Sequence, residues 1–370
     1  MAINALVVFA LLLSPTTLCQ LPTDSSKANP RGYPLTDGNS NNEYELTEPA
    51  KNHLTSWVSR LMIPAVSSVI LIVALPANGL ALLILVTKVQ RLPSTIFLIN
   101  LATADLLLTL MLPFKIHYHF LGSNWPFGEA LCRAMTAFFY GNMYCSILLL
   151  TFISIDRYFA LVHPFLSKRF RDNRFAVGAC WVIWTLVVLS VLPFLLQRQT
   201  YPIQDLNITT CHDALPVKVQ SGYLFYYFVC LVVFGFIIPC LVTIFCYVSV
   251  IRALMLSEQQ FGRAVWTMVL VLIVYVVCFT PSNIILLIHQ FKFQLTDTSS
   301  LYLYYMMCLL LSTFNNCIDP FIYYYVSDEF RDKVKSAILC TGKKGEDSRK
   351  AFLCTDSSSA SKTMAPRNCV

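Results

Sequence analysis

The sequence predicts an all-α membrane protein, a seven-transmembrane helix bundle followed by a short amphipathic eighth helix. The 370 residues are 56% hydrophobic and 13% charged, about half the charged share of a typical soluble chain. The charge deficit falls in long apolar runs. Each run can cross the hydrocarbon core as a helix, because a helix satisfies its own backbone polar groups. These runs exclude a soluble enzyme, a disordered chain and a nucleic-acid-binding domain.

Each apolar run reaches across a core about 30 Å thick at about 1.5 Å per residue. Span one to span seven are Leu61 to Val86, Ile96 to Phe120, Ala130 to Val162, Phe175 to Leu196, Tyr223 to Leu256, Ala264 to Gln290 and Leu301 to Val326. Six of these spans contain a proline, which bundled membrane helices tolerate. The bundle as a whole covers residues 61–326.

Both ends of the chain differ from the bundle. Residues 1–19 hold a short apolar stretch followed by small and polar residues, which predicts a secretory signal peptide. Gln20 to Arg60 is polar and lacks apolar periodicity, so we expect this segment to be disordered. Residues 341–370 form a second polar tail, which we expect to be disordered in the cytoplasm.

The cations indicate the orientation in the membrane. Lys and Arg are frequent in the loops after spans one, three and five and after span seven, and they are sparse on the other side. The cation-rich side faces the cytoplasm. The N-terminus is therefore extracellular, in agreement with a signal peptide, and we expect a multi-pass protein of the plasma membrane.

Two cysteines and a sequon mark the loop after span four, here named the second outer loop. Most of the 14 cysteines lie inside spans, but Cys132 and Cys211 are expected to face an oxidising compartment. A disulfide between them would tie this loop over the mouth of the bundle, and the alternative is two free thiols. Asn207-Ile208-Thr209 is a glycosylation sequon on the same side.

Ionisable residues deep in the spans are costly and therefore point to function. Four polar residues of other spans could converge on Asp105 in span two: Asn78, Ser146, Asn315 and Asp319. Two acids, Asp105 and Asp319, with hydroxyl and amide oxygens suit a Na⁺ ion or protons. The alternative is a structural hydrogen-bond network that holds the helices together. No other cofactor is expected.

Two motifs are specific because of their depth in the membrane. Asp156-Arg157-Tyr158 ends span three, where an arginine has to pair or snorkel, and Asp319-Pro320-Phe321-Ile322-Tyr323 lies near the inner end of span seven. The further matching positions are Asn78, Asp105, Trp184, Pro239, Tyr247 and Pro281. With these motifs, roughly residues 61–339 resemble the rhodopsin-class (class A) G-protein-coupled receptors.

Three segments resemble the protease-activated (thrombin) receptor family, most closely its fourth subtype: Cys211 to Leu215, Phe279 to Asn283 and Phe321 to Ser327. The resemblance implies that a trypsin-like serine protease such as thrombin cuts after Arg31. The new end, Gly32-Tyr33-Pro34-Leu35-Thr36-Asp37, then acts as a tethered ligand. Residues 20–31 are an activation propeptide in this reading, and residues 32–60 are the tethered ligand and extracellular tail.

Without the family resemblance, the residue pattern gives weaker support for a protease cleavage site at Arg31. A trypsin-like pocket requires one exposed basic residue, and Lys27, Lys51 and Arg60 qualify as well as Arg31. Downstream, Glu43-Tyr44-Glu45-Leu46 mixes acids with an aromatic residue and suits a cationic protease exosite. The alternative is a solvated acidic linker.

We expect the receiving pocket at the outer ends of the spans and in the second outer loop. Cleavage creates an ammonium group on Gly32, and Asp213 is the expected partner of this charge. By resemblance, agonist contacts fall at Tyr140, His212, Asp213, Leu215, His289, Tyr302 and Tyr305. The alternative for Tyr302 and Tyr305 is an interfacial aromatic belt.

The cytoplasmic side is expected to receive further partners. The switch toward a heterotrimeric G protein, of the Gq type by resemblance, would use Asp156, Arg157, Tyr158, Tyr247 and Tyr323. Residues 327–340 predict an amphipathic helix on the membrane lipid of the inner leaflet, with Cys340 as a palmitoylation site. Serines of the tail are expected to accept phosphates from receptor kinases and to recruit arrestin.

Two other functions are the alternatives. The chain lacks G-x-S-x-G, H-E-x-x-H and a phosphate-binding glycine loop, which argues against an enzyme. An ion-coupled membrane transporter would use the buried acids, but it predicts repeated halves that the sequence does not have. A class A receptor for a diffusible peptide or nucleotide is the nearer rival, and for it Arg31→Ala would leave signalling intact.

Overall fold

A computed structural model of the chain describes residues 33–37, 44–46, 48–163, 172–216, 223–256, 262–292 and 299–336. Helices occupy all seven predicted runs, which confirms the seven-helix bundle. Six of them are long and apolar enough to cross a membrane without interruption. Spans one to four are the helices Ile63–Thr87, Pro93–Phe120, Gly128–Val162 and Asn173–Leu196. The signal peptide, the propeptide of residues 20–31, Gly32 and the C-terminal tail lie outside the described residues.

Spans five and six each contain a wider π-helical turn directly before a proline. Span five consists of Tyr223–Val232, Val233–Ile237 and Ile238–Leu256, and span six of Gly262–Ile273, Val274–Phe279 and Thr280–Lys292. A proline has no N–H to donate, so the preceding turn has to widen or bend. In span six, both the backbone N–H and the hydroxyl of Thr280 donate to the carbonyl of Tyr275, which satisfies that acceptor.

Span seven is built from two consecutive helices, Ser299–Thr313 and Asn315–Val326. Phe314 lies between them, and its carbonyl accepts a tight-turn hydrogen bond of 3.0 Å from the backbone N–H of Cys317. The two helices together are about 40 Å long at about 1.5 Å per residue, enough to cross the bilayer. The sequence predicted one uninterrupted run here, and the polar Asn315 and Asn316 at the break are buried in the bundle.

The second outer loop forms a β-hairpin over the mouth of the bundle. Strand β3 (Thr200–Ile203) pairs antiparallel with β4 (Ile208–Cys211), and Asn207 stands exposed at the turn with a left-handed backbone. Cys211 is joined to Cys132 of span three by a disulfide, so the predicted disulfide is confirmed. The Glu129 carboxylate accepts hydrogen bonds from the backbone N–H groups of Gln199 and Thr200 at 2.8 and 2.9 Å.

The segment before span one is partly ordered, in contrast to the expected disorder. It contains β1 (Tyr33–Asp37), β2 (Tyr44–Leu46) and a helix at Glu48–Leu54. β1 is the middle strand of a sheet in which β2 lies on one side and β5 (Ala214–Pro216) of the second outer loop lies on the other. Local composition did not predict this order, because the pairing partners come from a distant part of the chain.

The inner end of the bundle carries the predicted eighth helix at residues 328–336. The Ser327 hydroxyl oxygen accepts a hydrogen bond from the backbone N–H of Phe330 and so caps this helix. Phe330 is buried and packs edge-to-face against Tyr323, with the ring centres 6.4 Å apart. This side chain therefore joins the helix to the bundle and does not face lipid. The rest of the predicted helix, including Cys340, lies outside the described residues.

Candidate functional site

A cavity at the outer end of the bundle collects most of the predicted agonist-pocket residues. It measures about 50 Å³, and its wall includes Tyr140, His212, Asp213 and Tyr302. The Tyr140 hydroxyl lies 3.3 Å from the Tyr305 hydroxyl, which adds a fifth predicted residue to the cluster. Tyr302 and Tyr305 are both buried, so they face the bundle and do not form a lipid-facing aromatic belt. The side chains of Leu215 and His289 lie outside the described part of the chain.

Asp213 is the acidic centre of this cavity. Its two carboxylate oxygens accept hydrogen bonds from the hydroxyl groups of Tyr118 at 2.7 Å and Tyr302 at 2.9 Å. Burial raises the pKa of the Asp213 carboxyl, while the two tyrosine hydrogen bonds and the charge of Lys115 act in the opposite direction. Through its hydrogen bonds with Tyr118 and Tyr302, the carboxyl group of Asp213 joins the second outer loop to spans two and seven.

The sequence prediction missed the contribution of span two to this cavity. Lys115, Tyr118 and His119 line the wall, and the ammonium group of Lys115 also lies 4.1 Å from the ring centre of Phe139. The signal was present in the sequence, since residues 115, 117 and 119 place three basic or imidazole side chains inside an otherwise apolar run. Such residues inside a membrane span point to function.

His212 orders the neighbouring part of the second outer loop. Its Nδ1 lies 2.7 Å from the Gln199 side-chain oxygen, and its Nε2 lies 3.3 Å from the Tyr140 hydroxyl. The His212 backbone is left-handed, with φ of 69°, and this conformation turns the chain sharply between Cys211 and β5. Aromatic contacts with Tyr140 and Phe194 fix the ring further.

The predicted ligand segment lies beside this same loop. β1 pairs in parallel with β5, and the register joins Tyr33 to Ala214, Pro34 to Leu215 and Leu35 to Pro216. Along the sequence, Gly32 is the residue before this paired stretch on one strand, and Asp213 is the residue before it on the other. Arg31 and Gly32 lie outside the described residues.

The structure describes three of the four residues of the predicted protease-docking segment. Tyr44, Glu45 and Leu46 form β2, which pairs antiparallel with β1. The side chain of Leu46 is only 5% exposed and packs in the bundle core, which the prediction of a solvent-exposed exosite segment did not anticipate. Glu43 lies outside the described residues.

A second polar cluster surrounds Asp105 near the middle of span two. Its carboxylate accepts hydrogen bonds from Asn142 at 3.1 Å and from the Tyr323 hydroxyl at 3.0 Å. Tyr323 is also 3.0 Å from the Asn78 side-chain oxygen. The carboxyl group of Asp319 lies within hydrogen-bonding reach of Asp105 and is 3.2 Å from Asn315. The structure therefore brings together Asn78, Asp105, Asn315 and Asp319, and it adds Asn142 to the predicted set.

Some polar atoms around this cluster have no protein partner. Among the described residues, the buried oxygens Asn315 Oδ1 and Asp319 Oδ1 of this cluster make no hydrogen bond. The predicted Ser146 lies one helical turn after Asn142, and its buried Oγ likewise makes none. Unsatisfied buried oxygens are costly. Hydroxyl, amide and carboxylate oxygens are the donors that a hard cation such as Na⁺ takes, so the residues present fit a sodium ion.

The predicted switch residues hold the cytoplasmic ends of the spans together. Arg157 donates a 2.7 Å hydrogen bond to the carbonyl of Val326, the last residue of span seven. The hydroxyl groups of Ser154 and Tyr247 are 2.7 Å apart and join span three to span five. Tyr158 contacts His163 at 3.0 Å. Asp156 is buried at the same end of span three.

Comparison with known proteins agrees with this arrangement. Residues 77–323 match the family model of the 7 transmembrane receptor (rhodopsin family). Proteinase-activated receptor 4 of Mus musculus is 45% identical over 92% of this chain and 86% of its own length. Proteinase-activated receptor 4 of Homo sapiens is 44% identical over 86% of this chain and 83% of its length. Proteinase-activated receptor 2 of Homo sapiens is 42% identical over 80% of this chain and 76% of its length.

The family match covers more than half of the chain and includes both the Asp105 cluster and the Arg157 motif. The similarity to proteinase-activated receptors extends beyond it at both ends. The chain is a multi-pass receptor of the plasma membrane and not an enzyme. It belongs to the rhodopsin family of seven-transmembrane receptors and, within it, to the proteinase-activated receptors.

Proposed function

We propose that a trypsin-like serine protease such as thrombin activates this receptor by cutting after Arg31. The new N-terminus, Gly32 to Asp37, then acts as an agonist that stays attached to the receptor. One observation carries the proposal for this chain. The strand that contains Tyr33 to Asp37 pairs with the second outer loop beside the Asp213 cavity, so the ligand segment and its receiving site are adjacent.

The chemical switch is the charge on Gly32. Before the cut, the Gly32 nitrogen belongs to a neutral peptide bond, and after hydrolysis it is an ammonium group with a pKa near 8. Asp213 offers a buried carboxylate one residue before β5. The ammonium group competes with the hydroxyl groups of Tyr118 and Tyr302 for this carboxylate, since they occupy its oxygens in the uncut chain.

When Tyr118 and Tyr302 lose their hydrogen bonds to Asp213, the binding of the new N-terminus is transmitted into the bundle. Tyr118 lies in the last turn of span two and Tyr302 in the first turn of span seven, so both spans lose a tie to the second outer loop. Span seven carries Tyr323 and, at its inner end, the carbonyl that accepts from Arg157. Movement of span seven therefore opens the contact at Arg157. The crevice that results is the expected binding site of a heterotrimeric G protein, with Gq-type coupling.

A sodium ion at the Asp105 cluster would favour the resting bundle. Asp105, Ser146, Asn315 and Asp319 would hold it, because their oxygens include the buried ones that have no partner among the described residues. A bound cation offsets the repulsion between the two neighbouring carboxylates. The alternative is that the cluster holds a proton between Asp105 and Asp319 and serves as a structural network.

Three further sites belong to the proposal. Asn207 is exposed at the tip of the hairpin, which leaves it accessible for glycosylation. Cys340 would be palmitoylated beside the eighth helix. Phosphorylation of the tail by receptor kinases would recruit arrestin.

The rival function is a receptor for a diffusible peptide or nucleotide. The two functions differ in their response to Arg31→Ala. A cleavage-activated receptor loses its response to thrombin and keeps its response to a synthetic Gly-Tyr-Pro-Leu-Thr-Asp peptide. A receptor for a diffusible ligand is unaffected by this substitution.

A further inference from the structure

Span two brings a positive charge into the Asp213 cavity. Lys115 and Tyr118 lie about one helical turn apart on this span, and residues three apart face the same side of a helix. The hydroxyl group of Tyr118 donates to the Asp213 carboxylate at 2.7 Å. Lys115 therefore lies on the side of span two that faces this carboxylate, and Lys115, Tyr118 and Asp213 all line the cavity wall.

The ammonium group of Lys115 is held by an aromatic ring and not by direct contact with the acid. It lies 4.1 Å from the ring centre of Phe139 on span three. Lys115 and Asp213, both of which the structure describes, form no ion pair within 4.0 Å. Burial raises the pKa of the Asp213 carboxyl, and the positive charge of Lys115 acts against this rise across the cavity. A cation and an anion thus lie on the wall of one small cavity with space between them.

The space between these two charges suits a single ammonium group. The cavity measures about 50 Å³, and a water molecule, which is close to an ammonium group in size, occupies about 30 Å³ in the liquid. A cation that enters is attracted by Asp213 and repelled by Lys115. It also has to displace the hydroxyl groups of Tyr118 and Tyr302 from the carboxylate oxygens.

We propose that Lys115 is a built-in competitor for the Asp213 carboxylate and restricts the cavity to ammonium groups held at high local concentration. This inference rests on the proposed function. In the resting receptor the lysine charge offsets that of Asp213, because a buried carboxylate is costly without a compensating charge. The ammonium group of the agonist takes over this role, and the lysine charge then remains on the ring of Phe139.

The competitor makes the receptor selective for a tethered agonist. A positive charge beside the site lowers its affinity for every cationic ligand, and a repulsive element of this kind is a common source of specificity. A ligand on a short flexible tether has an effective concentration in the millimolar range, so it fills the site in spite of the repulsion. A free amine or peptide at micromolar concentration fills it poorly. Lys115 thereby protects the receptor from diffusible cations.

The test compares soluble and tethered agonist in receptors that lack the lysine charge. Lys115→Met and Lys115→Gln remove the charge, and Lys115→Arg retains it. Arg198→Gln is the matched control, because this cation also lies over an aromatic ring, that of Tyr201 at 5.1 Å, but outside the cavity wall. Calcium release is measured at matched surface expression with three stimuli: the Gly-Tyr-Pro-Leu-Thr-Asp peptide, the same peptide acetylated at its N-terminus, and thrombin.

Both charge-neutral variants of Lys115 are expected to respond to roughly tenfold lower concentrations of the free-ammonium peptide, since a like charge inside the cavity is removed. The potency of the acetylated peptide should not change, because it carries no ammonium group. The maximal response to thrombin should also stay the same, since the tethered agonist already fills the site. Lys115→Arg and Arg198→Gln should keep the potency of the unaltered receptor.

A second variant tests the competitor with the lysine in place. Phe139→Leu removes the ring that holds the ammonium group of Lys115, so the lysine charge is free to turn toward Asp213. The free-ammonium peptide should then lose potency several-fold, while the acetylated peptide should not. This arm remains informative even if neither charge-neutral variant of Lys115 reaches the cell surface.

Unchanged or reduced potency of the free-ammonium peptide in the charge-neutral variants would overturn the proposal. An equal gain for the acetylated peptide would overturn it as well, because the lysine would then act through packing and not through charge. In Phe139→Leu, unchanged or increased potency contradicts it independently. Failure of the proposed function has a different signature, since the free-ammonium peptide would then be silent on the unaltered receptor.

Discussion

The hydroxyl group of Tyr118 donates a 2.7 Å hydrogen bond to the carboxylate of Asp213 and so joins the outer end of span two to the second outer loop. Tyr302 supplies the matching bond from span seven. Asp213 therefore ties the loop, span two and span seven together at the same point. A ligand that takes this carboxylate acts on all three elements.

Asp213→Asn is expected to weaken the synthetic agonist peptide. Asparagine keeps an oxygen for one tyrosine but removes the negative charge that would pair with the Gly32 ammonium. Loss of a charged hydrogen bond costs about 1.5–3 kcal/mol, so the peptide concentration for half-maximal calcium release should rise roughly tenfold to a hundredfold. Surface expression should be retained. Asp205→Asn, in the same loop but outside the cavity, is the matched control. Unchanged potency in Asp213→Asn would remove this residue from the site.

Agonist potency should also depend on pH. Burial raises the pKa of Asp213 above its ordinary value, so this carboxyl gains a proton at a higher pH than an exposed aspartate, whose pKa is about 4. The peptide ammonium, with a pKa near 8, stays charged in acid. Potency should therefore fall as the pH is lowered below neutral.

The control for this pH effect is Asp213→Asn. The other titratable groups that line the cavity, Lys115, His119 and His212, are present in both receptors. The acid-induced loss of potency should be smaller in the variant. An identical pH profile in the two receptors would assign the effect to another group.

Tyr275→Phe is expected to raise basal signalling. The Tyr275 hydroxyl bonds to the carbonyl of Ile147 at 2.6 Å and lies 2.5 Å from the Thr151 hydroxyl, so it ties span six to span three. Phenylalanine keeps the ring contact with Phe279 but loses two buried hydrogen bonds, each worth about 0.5–1.5 kcal/mol. Basal inositol phosphate should increase, and the solubilised receptor should melt at a lower temperature. An unaltered basal level would show that this tie does not restrain the resting state.

Sodium should stabilise the resting receptor. Ligand binding to the folded state alone raises the melting temperature, so the solubilised receptor should melt a few degrees higher in sodium chloride than in equimolar choline chloride. Asp319→Asn should abolish the difference, because it removes a carboxylate of the Asp105 cluster. Asp332→Asn, at an exposed residue of the eighth helix, should retain it. Equal melting temperatures in the two salts would leave the cluster as a structural network.

The sequence was sufficient to predict the spans and insufficient to predict the sheet of β2, β1 and β5. Apolar length and the distribution of cations predict the helices because each helix satisfies its own backbone within one run. Tyr33–Asp37 forms a strand only through backbone pairing with Ala214–Pro216, which lies far away in the sequence. No local pattern encodes this contact, and the segment therefore resembled a disordered tail.

The sequence predicted only part of the wall of the Asp213 cavity, because the rest also depends on contacts between distant parts of the chain. Asp213, Tyr302 and Tyr140 follow from family resemblance, and the structure brings them together. Lys115 and Tyr118 were overlooked because they were assigned to the apolar run of span two. Their role depends on the depth and rotation of that helix, and these are set by packing against neighbouring spans.

The most direct test of the central claim is the Arg31→Ala receptor assayed with both stimuli on the same cells, with surface expression matched to the unaltered receptor. Thrombin should raise cytosolic calcium only in cells that carry Arg31. The Gly-Tyr-Pro-Leu-Thr-Asp peptide should raise it equally in both. A full thrombin response in Arg31→Ala, or a silent peptide on the surface-expressed variant, would contradict activation by a tethered ligand.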